Sequence, residues 1–174
     1  MSDMDYLDQF NSIMGEIVPD GMARWLDMNG YFDAPASTKY HGDYLGGLFY
    51  HSIAVTDALL DITEKMALKW ERKESPWIVG MFHDLCKMDE YETDDYGLYV
   101  RNKDTLYQGH GDKSVMLLAS WIQLTEEEVA CIRYHMGAFT DKAEWGCYTK
   151  AVAKYPNVLW THTADMIASQ VKGL

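Results

Sequence analysis

The sequence has few cysteines, few basic residues and no long apolar run. Its three cysteines, Cys86, Cys131 and Cys147, are widely spaced and form no CxxC pair, so a disulfide framework is not expected and a reducing compartment is favoured. No run of ~18 apolar residues is present, which argues against a membrane span. The N-terminal MSDMDYLDQF has no basic segment followed by an apolar one, so a signal peptide is not expected. These absences predict a cytoplasmic protein that does not enter membranes.

The charge balance is strongly acidic, with 15 Lys and Arg against 27 Asp and Glu and a formal net charge of −12. Broad nucleic-acid binding relies on Lys and Arg at phosphates and is therefore unlikely. A local pocket can still accept an anion if bound cations invert the field there. The 174 residues, of which 48% are hydrophobic, suit one domain with a sizeable core.

Most of the chain carries helical periodicity. Leu48, His51, Val55, Ala58 and Ile62 recur at spacings of three and four and predict a helix over about 46–70, with a histidine inside its apolar stripe. The other predicted helices cover about 2–16, 22–28, a segment opened by Ser75-Pro76, 111–122, 125–135, 146–155 and 157–171.

Two local signals complete the secondary-structure prediction. Thr125 followed by Glu128 is the pattern of a capping box. Residues rich in β-forming types at 96–100 and 105–107 predict a small hairpin. The predicted fold is all-α, a single helical domain with at most one small β-hairpin insertion, in which helices of residues 1–29 pack on a core domain of residues 30–174.

Histidines and aspartates stand at positions that should be buried. His51 lies in an apolar stripe, His83 and Asp84 adjoin in GMFHDLCK, and Asp165 lies in LWTHTADMIAS. An isolated buried carboxylate costs several kcal/mol, roughly, unless it is paired or binds a metal. A satisfied core histidine and a buried salt bridge are the alternatives for His51 and Asp165. Imidazole and carboxylate together suit a divalent transition metal such as Mn, Co, Zn, Ni or Fe, and one or two ions are expected.

The ordered motifs resemble the HD superfamily of metal-dependent phosphohydrolases. KYHGDYLGGLFYHS at 39–52, FHDLCK at 82–87, GHGDKS at 109–114, IRYHMGAF at 132–139 and HTADMIAS at 162–169 are similar to segments of HD domains related to bacterial 3′-to-5′ exoribonucleases. The resemblance spans about residues 30–171. It implies an HD-type helical domain with a metal centre.

The resemblance also implies roles for individual residues. His51, His83, Asp84 and Asp165 would hold one metal, and Asp84 would bridge to a second metal held by His110 and His135. Asp84 and Lys87 are the predicted catalytic residues, with Lys87 contacting phosphate in the transition state. The predicted substrate-binding residues are Lys39, His41, Lys87, Lys113 and His162. The alternative is a solvated loop for Lys39, His41 and Lys113, and a plain surface position for Lys87. For His162, the alternatives are a core position or support of Asp165.

The expected function is hydrolysis of a phosphoester of a small, nucleotide-like substrate by a metal-activated water. The alternatives are a phosphodiesterase or exonuclease acting on short nucleic acid or a cyclic nucleotide, a di-iron oxygenase of the HD type, and a binding module without catalysis. The exoribonuclease relatives carry a separate nucleic-acid-binding domain, whereas only about 30 residues precede the matching region here, so a small substrate is favoured. A homo-oligomer is possible.

Overall fold

The structure, a computed structural model, describes residues 5–38, 42–107 and 109–174, and eight α-helices and one two-stranded hairpin form its regular elements. The predicted mostly α-helical fold with a single small hairpin is confirmed. The helices are α1 (Tyr6–Met14), α2 (Met22–Met28), α3 (Gly47–Lys65), α4 (Ser75–Phe82), α5 (His110–Ala119), α6 (Glu126–Arg133), α7 (Trp145–Lys154) and α8 (Asn157–Met166). The strands are β1 (Tyr91–Thr93) and β2 (Tyr99–Arg101).

Helix α3 lies in the middle of the fold and packs against α4 and α8. The approach of α3 and α4 is close because α4 contains Gly80, where an added Cβ would lie 2.6 Å from the Thr56 Cα. A larger side chain would push the two helices apart. This contact brings the inner face of α3, with His51, beside the end of α4, with His83.

The N-terminal helices contribute directly to the hydrophobic core. Phe10 and Met14 of α1 and Met22 and Leu26 of α2 are fully buried. The ring of Phe10 lies 6.2 Å from that of Phe82 at the end of α4, centroid to centroid. Burial of such side chains stabilises the fold by about 1.5–3 kcal/mol each, so helices α1 and α2 support the region that carries the HD pair.

The segment GMFHDLCK does not continue as one helix. Helix α4 ends at Phe82, His83 is its C-cap, and a 3₁₀ helix follows at Leu85–Asp89. The helix opened by Ser75-Pro76 is thus interrupted at the HD pair, but Lys87 in the 3₁₀ helix still lies beside Asp84, with its Nζ 2.7 Å from the Asp84 Oδ2. Asp84 lies at the junction of the two short helices, with φ −104° and ψ 18°, so that its side chain and that of His83 turn towards the same point.

The hairpin is present, but its strands differ from the predicted ones. Strand β1 pairs antiparallel with β2 in a register that sets Glu92 opposite Val100, and 105–107 forms no strand. The turn explains the difference, because the Asp94 carboxylate accepts hydrogen bonds from the main-chain N–H groups of Tyr96 and Leu98, both at 2.9 Å. Gly97 adopts the required left-handed conformation at φ +79°. The acidic run at 89–95 thus contains strand β1.

The capping box at the start of α6 is confirmed. The Thr125 hydroxyl accepts from the Glu128 N–H at 3.2 Å, and the Glu128 carboxylate accepts from the Thr125 N–H at 2.9 Å. At the other end of the chain, α8 passes into a π-helix at Ile167–Lys172, and Gly173 follows in the left-handed region at φ 72°. Within the described residues, no helix has the length and apolar character needed to cross a membrane.

Candidate metal centre

Asp84 lies at the centre of a buried cluster of imidazoles. Its Oδ1 is 2.8 Å from the His110 Nε2 and 3.3 Å from the His135 Nε2. Its Oδ2 is 3.5 Å from the His83 Nε2 and 3.7 Å from the His51 Nε2. Each oxygen of one carboxylate therefore faces a separate pair of imidazoles, and the carboxylate itself is only 2% exposed.

Asp165 on α8 joins this cluster through His51, whose Nε2 lies 3.2 Å from the Asp165 Oδ1. The fold thus brings together all the residues predicted as metal ligands: His51, His83, Asp84, His110, His135 and Asp165. Three groups of ligand atoms lie within 4.8 Å of one another: His51 with His83 and Asp84; Asp84 with His110 and His135; and His83 with His135 and Asp165. This His/Asp cluster could hold a metal ion.

Main-chain carbonyl groups orient three of the imidazoles. The pairs are His51 Nδ1 with the Leu174 carbonyl oxygen (2.8 Å), His83 Nδ1 with that of Gly80 (2.9 Å) and His135 Nδ1 with that of Ile132 (2.7 Å). A carbonyl oxygen only accepts hydrogen bonds, so each Nδ1 carries the proton. In a neutral ring, the lone pair is then on Nε2, which faces Asp84, as in metal sites whose outer partners set the tautomer.

The surroundings of the Nε2 atoms of His83 and His135, the ring nitrogens that face Asp84, indicate whether a metal ion fits the cluster. Both Nε2 atoms are buried and make no hydrogen bond of acceptable geometry with the described part of the chain. In the neutral tautomer, each lone pair faces an oxygen of Asp84, so two acceptors confront each other. A buried polar atom without a partner costs about 1–3 kcal/mol. A divalent cation between imidazole and carboxylate would satisfy both, and the donor set suits such an ion.

Without an ion, the electrostatics favour the ligating forms of His83 and Asp84 and shift His135 towards its protonated form. Burial lowers the pKa of His83, which favours the neutral imidazole. Burial also disfavours the charged form of His135, but Asp84 outweighs it and raises the pKa of His135. For Asp84 itself, burial would raise the pKa, whereas Lys87 and the neighbouring imidazoles hold it well below the usual range. Asp84 is therefore a carboxylate at neutral pH.

Lys87 lies against the cluster rather than at the surface. Its Nζ is 2.7 Å from the Asp84 Oδ2, and the residue is 8% exposed. Burial lowers the pKa of Lys87, but Asp84 overcomes this effect and raises it, so the ammonium stays charged. Its predicted role at a phosphate remains a prediction; its position beside Asp84 also supplies part of the positive charge that balances the carboxylate.

His162 supports the loop that carries His135. Its Nδ1 donates to the His135 carbonyl oxygen at 2.8 Å. An added Cβ at Gly137 would lie 2.5 Å from the His162 ring, and Gly137 has φ +55°, so the glycine of IRYHMGAF is required for this contact. His162 does not contact Asp165 in this way, and its ring faces a cavity beside the cluster.

The remaining predicted substrate residues differ in their surroundings. Lys113 is 3% exposed, with its Nζ against the Asp89 carboxylate and 2.8 Å from the Thr105 hydroxyl. This contact ties α5 to the 3₁₀ helix, and the predicted role of Lys113 at substrate remains a prediction. Lys39 and His41 lie outside the described residues.

Two adjoining cavities open next to the cluster. The smaller, of about 190 Å³, is lined by Asp84, Lys87, His162 and Asp165 among others. The larger, of about 840 Å³, lies between the hairpin, the start of α5 and the segment after His135. His110, Met136 and Phe139 line both cavities, so these three side chains lie where the two cavities adjoin.

Sequence reasoning missed two functional groups at the rim of the cluster. The Cys86 Sγ lies 3.2 Å from the His110 Nδ1, and the Glu90 Oε2 lies 3.9 Å from the same nitrogen. Cys86 adjoins the HD pair in sequence, but no pattern indicates its partner, and Glu90 lies within an acidic run that predicts a solvated loop.

In comparisons with known proteins, no family model matches the chain and no solved structure matches it significantly.

Proposed function

We propose that the protein is a metal-dependent phosphohydrolase of the HD type that cleaves a phosphoester of a small, nucleotide-like substrate. The observation that carries the proposal is the position of Asp84, a buried carboxylate with imidazoles at both oxygens and a lysine ammonium beside it. A carboxylate whose two oxygens face separate ligand sets is suited to bridge two neighbouring metal ions. The ordered HD motifs of the sequence support the same assignment.

The ligands divide between two positions in the proposal. His51, His83, Asp84 and Asp165 would hold one ion, and Asp84, His110 and His135 the other. When bound, such ions would activate a water for attack on phosphorus and offset the charge of the leaving oxygen. The carbonyl groups at the outer nitrogens keep three imidazoles in the ligating tautomer. The protein thus orients its ligands before any ion or substrate arrives.

The smaller cavity is suited to the phosphoryl group. Lys87 lines it beside Asp84, where an ammonium can stabilise negative charge that develops on phosphate oxygens. His162 lines the same cavity; its Nδ1 donates to the His135 carbonyl oxygen, so the Nε2 of the neutral ring is an acceptor that would receive a hydrogen bond from a substrate hydroxyl or a water. Lys87 would therefore orient the phosphoryl group over the cluster, with His162 as a neighbouring acceptor.

The larger cavity is suited to the organic part of the substrate. Its lining combines the aromatic rings of Tyr91, Tyr107 and Phe139 with polar groups. Its arginines are paired with acids: Arg101 with Glu90 at 2.8 Å, and Arg133 with Asp112 and Glu144. With both arginines paired, the cavity favours an uncharged polar group with an aromatic face, such as a nucleoside, over a long polyanion.

The proposal is tested with purified protein loaded with Mn²⁺ or Co²⁺ and a panel of nucleoside mono-, di- and triphosphates. We expect release of phosphate or polyphosphate from at least one nucleotide, and loss of that activity in Asp84→Asn and His83→Ala. The matched control is Asp61→Asn, which removes an exposed carboxylate on α3 and should leave turnover unchanged. Iron content together with oxygen uptake and no phosphate release would overturn the proposal in favour of an oxygenase.

A second candidate is a phosphodiesterase acting on short nucleic acid or a cyclic nucleotide. The size of the larger cavity, about 840 Å³, favours it because a second nucleoside could be accommodated next to the first. Cyclic dinucleotides and short RNA belong in the same substrate panel. Cleavage of these substrates without turnover of any mononucleotide would replace the first candidate by the second.

A further inference from the structure

The outer nitrogen of His110 has different surroundings from those of the other described histidines. In His51, His83 and His135, the Nδ1 contacts a main-chain carbonyl oxygen. In His110, the Nδ1 instead lies 3.2 Å from the Cys86 Sγ and 3.9 Å from the Glu90 Oε2. Thiolate, imidazole and carboxylate are all metal ligands, and here their three donor atoms lie within 4.8 Å of one another.

We propose that Cys86, Glu90 and the Nδ1 of His110 form a separate, regulatory binding position for a thiophilic divalent ion, with Zn²⁺ as the preferred ion. Zn²⁺ takes sulfur at ~2.3 Å and nitrogen at ~2.0–2.1 Å, so tetrahedral ligands lie roughly 3.5 Å apart. The observed separations bracket this value. Three protein ligands with an open fourth place also match a zinc site that keeps one water, and the thiolate favours Zn²⁺ over Mg²⁺ or Mn²⁺.

This position is accessible from the larger cavity. Cys86, Glu90 and His110 all line that cavity, so an ion can reach them without passing through the central cluster. Arg101 is 2.8 Å from the Glu90 Oε1, which leaves the other oxygen of Glu90 directed at His110. The Arg101 side chain is largely exposed and can move aside when a cation takes its place.

Occupation of the outer position excludes the role of His110 in the central cluster. A neutral imidazole has one nitrogen with a free lone pair. When the ion binds Nδ1, the ring proton is on Nε2, and the Cys86 thiol releases its proton to water. The Nε2 then faces Asp84 as a donor and no longer ligates an ion there. Excess Zn²⁺ would therefore inhibit the hydrolysis proposed above, and this consequence rests on that proposed function.

Cobalt spectroscopy tests the position directly, because a Co²⁺–thiolate bond has a charge-transfer absorption that nitrogen and oxygen ligands lack. On titration of the metal-free protein with Co²⁺, we expect this band to appear in the wild type and in Cys147→Ser, whose cysteine is exposed on α7. We expect it to disappear in Cys86→Ser and to require more Co²⁺ in Glu90→Gln. A band that survives in Cys86→Ser, or no band in the wild type, overturns the inference.

Zinc inhibition supplies the second measurement. Cys86→Ser should raise the Zn²⁺ concentration that gives half inhibition by at least ~10-fold. Loss of a residue that only supports a metal ligand already weakens binding by ~10–100-fold. Glu90→Gln should shift it in the same direction and keeps the test valid if Cys86→Ser folds poorly. Hydrolysis without a thiolate band would refute the outer position alone, whereas a Cys86-dependent band without any hydrolysis would refute the proposed function alone.

Discussion

At the scale of single residues, the chemistry is concentrated in Asp84. One carboxylate faces His110 and His135 with Oδ1, and Lys87 with Oδ2 at 2.7 Å. An isolated buried carboxylate would be costly, and the lysine ammonium meets part of that cost without an ion. The same side chain is therefore compatible with a folded metal-free state and with a metal-loaded state.

Asp165 predicts a measurable pH dependence of stability. Burial would raise the pKa of Asp165, but its contact with His51 and the nearby imidazoles lower it to about 2, against about 3.9 in an unfolded chain. A carboxyl group whose pKa is lowered by folding stabilises the fold at pH values above its pKa in the unfolded chain. This contribution is lost as the pH falls towards about 2, the pKa in the folded protein. The free energy of unfolding of metal-free wild type and Asp165→Asn, measured by urea, should therefore converge from about pH 4 downwards.

The control for this comparison is Asp61→Asn, whose exposed carboxylate should contribute no comparable difference. A gap between wild type and Asp165→Asn that stays constant through the acid range would contradict the assignment of the low pKa to Asp165.

Lys87→Met separates substrate contact from metal binding. If Lys87 stabilises charge on the phosphoryl group, kcat/KM should fall by about 10²–10³, the cost of removing one such donor, while the bound metal per protein stays unchanged. The measurements are phosphate release and elemental analysis of the same samples. Lys154→Met, which removes an exposed lysine paired with Glu126, should alter neither. Parallel loss of metal and activity in Lys87→Met would show that the lysine supports the cluster instead of the substrate.

At the scale of elements, the end of the described chain supports a ligand on α3. The π-helix at Ile167–Lys172 and the left-handed Gly173 turn the backbone so that the Leu174 N–H bonds the Ala168 carbonyl oxygen at 3.1 Å. The Leu174 carbonyl oxygen then meets the His51 Nδ1. A π-helical turn inserts one extra residue and is often found at functional sites; here it positions the partner of a candidate ligand.

Gly173→Val should therefore weaken metal binding from a distance. Valine disfavours the left-handed conformation, so the Leu174 carbonyl oxygen should move away from His51, and loss of such an outer partner costs about 10–100-fold in metal affinity. Calorimetric titration with Mn²⁺ measures the change. Gly97→Val imposes the same backbone conflict in the hairpin turn, at φ +79°, and should leave the affinity unchanged. Equal affinities in both variants would exclude a positioning role for this segment.

Helix α6 begins with three glutamates that have three different surroundings. Glu126 is exposed, Glu127 accepts hydrogen bonds from the Glu71 N–H and the Asn157 side chain, and Glu128 is fully buried. The Glu128 carboxylate also binds the Arg72 guanidinium through two contacts of 2.7 Å and the Ser75 hydroxyl at 2.8 Å. One capping residue thus joins the starts of α4 and α6.

Glu128→Ala should destabilise the protein by about 3–5 kcal/mol, the range for removing one partner of a buried ion pair. Arg72 and Ser75 would lose their acceptor, and the helix would lose its capping box. Urea unfolding of the variant measures the loss. Glu126→Ala, two residues earlier on the exposed side of the helix, should give a far smaller change. Similar losses in the two variants would contradict the structural role assigned to Glu128.

At the scale of the whole molecule, the cluster draws on distant parts of the chain. Its members come from α3, the end of α4, the start of α5, the segment after α6, and α8, so an ion bound there would hold five segments together. The contact of His51 with Leu174 alone spans 123 positions of sequence. Metal binding should consequently stabilise the global fold and not only a local loop.

Saturating Mn²⁺ should raise the free energy of unfolding by about 2.7 kcal/mol at a free concentration 100 times the dissociation constant. Urea unfolding with Mn²⁺ and with a chelator measures this difference. His83→Ala should show a much smaller difference, whereas Asp61→Asn should retain all of it. Identical unfolding curves of the wild type with Mn²⁺ and with chelator would show that the cluster does not bind this ion.

Local patterns of the sequence were sufficient for the helices and for the kinds of residue at the candidate site. The periodicity around His51 predicted α3, and Thr125 with Glu128 predicted the start of α6, because helix faces and caps depend on residues within one or two turns. The HD pair inside an apolar run predicted a buried ionic site, since burial of such groups without compensation is unfavourable.

Tertiary structure alone decided how those residues meet. The resemblance implied which residues share Asp84, but the distances from Asp84 to His51 and His110, the Leu174 carbonyl at His51, and the approach of Cys86 and Glu90 to His110 arise from contacts between elements far apart in sequence. No local period encodes such contacts, since they depend on how α3, α4, α5 and α8 pack. The hairpin register depends on the turn formed by the Asp94 carboxylate. The β-forming residue types at 96–100 instead predicted that the whole of this segment is a strand. The sequence therefore determined the donors, and the packing determined which donors share a point in space.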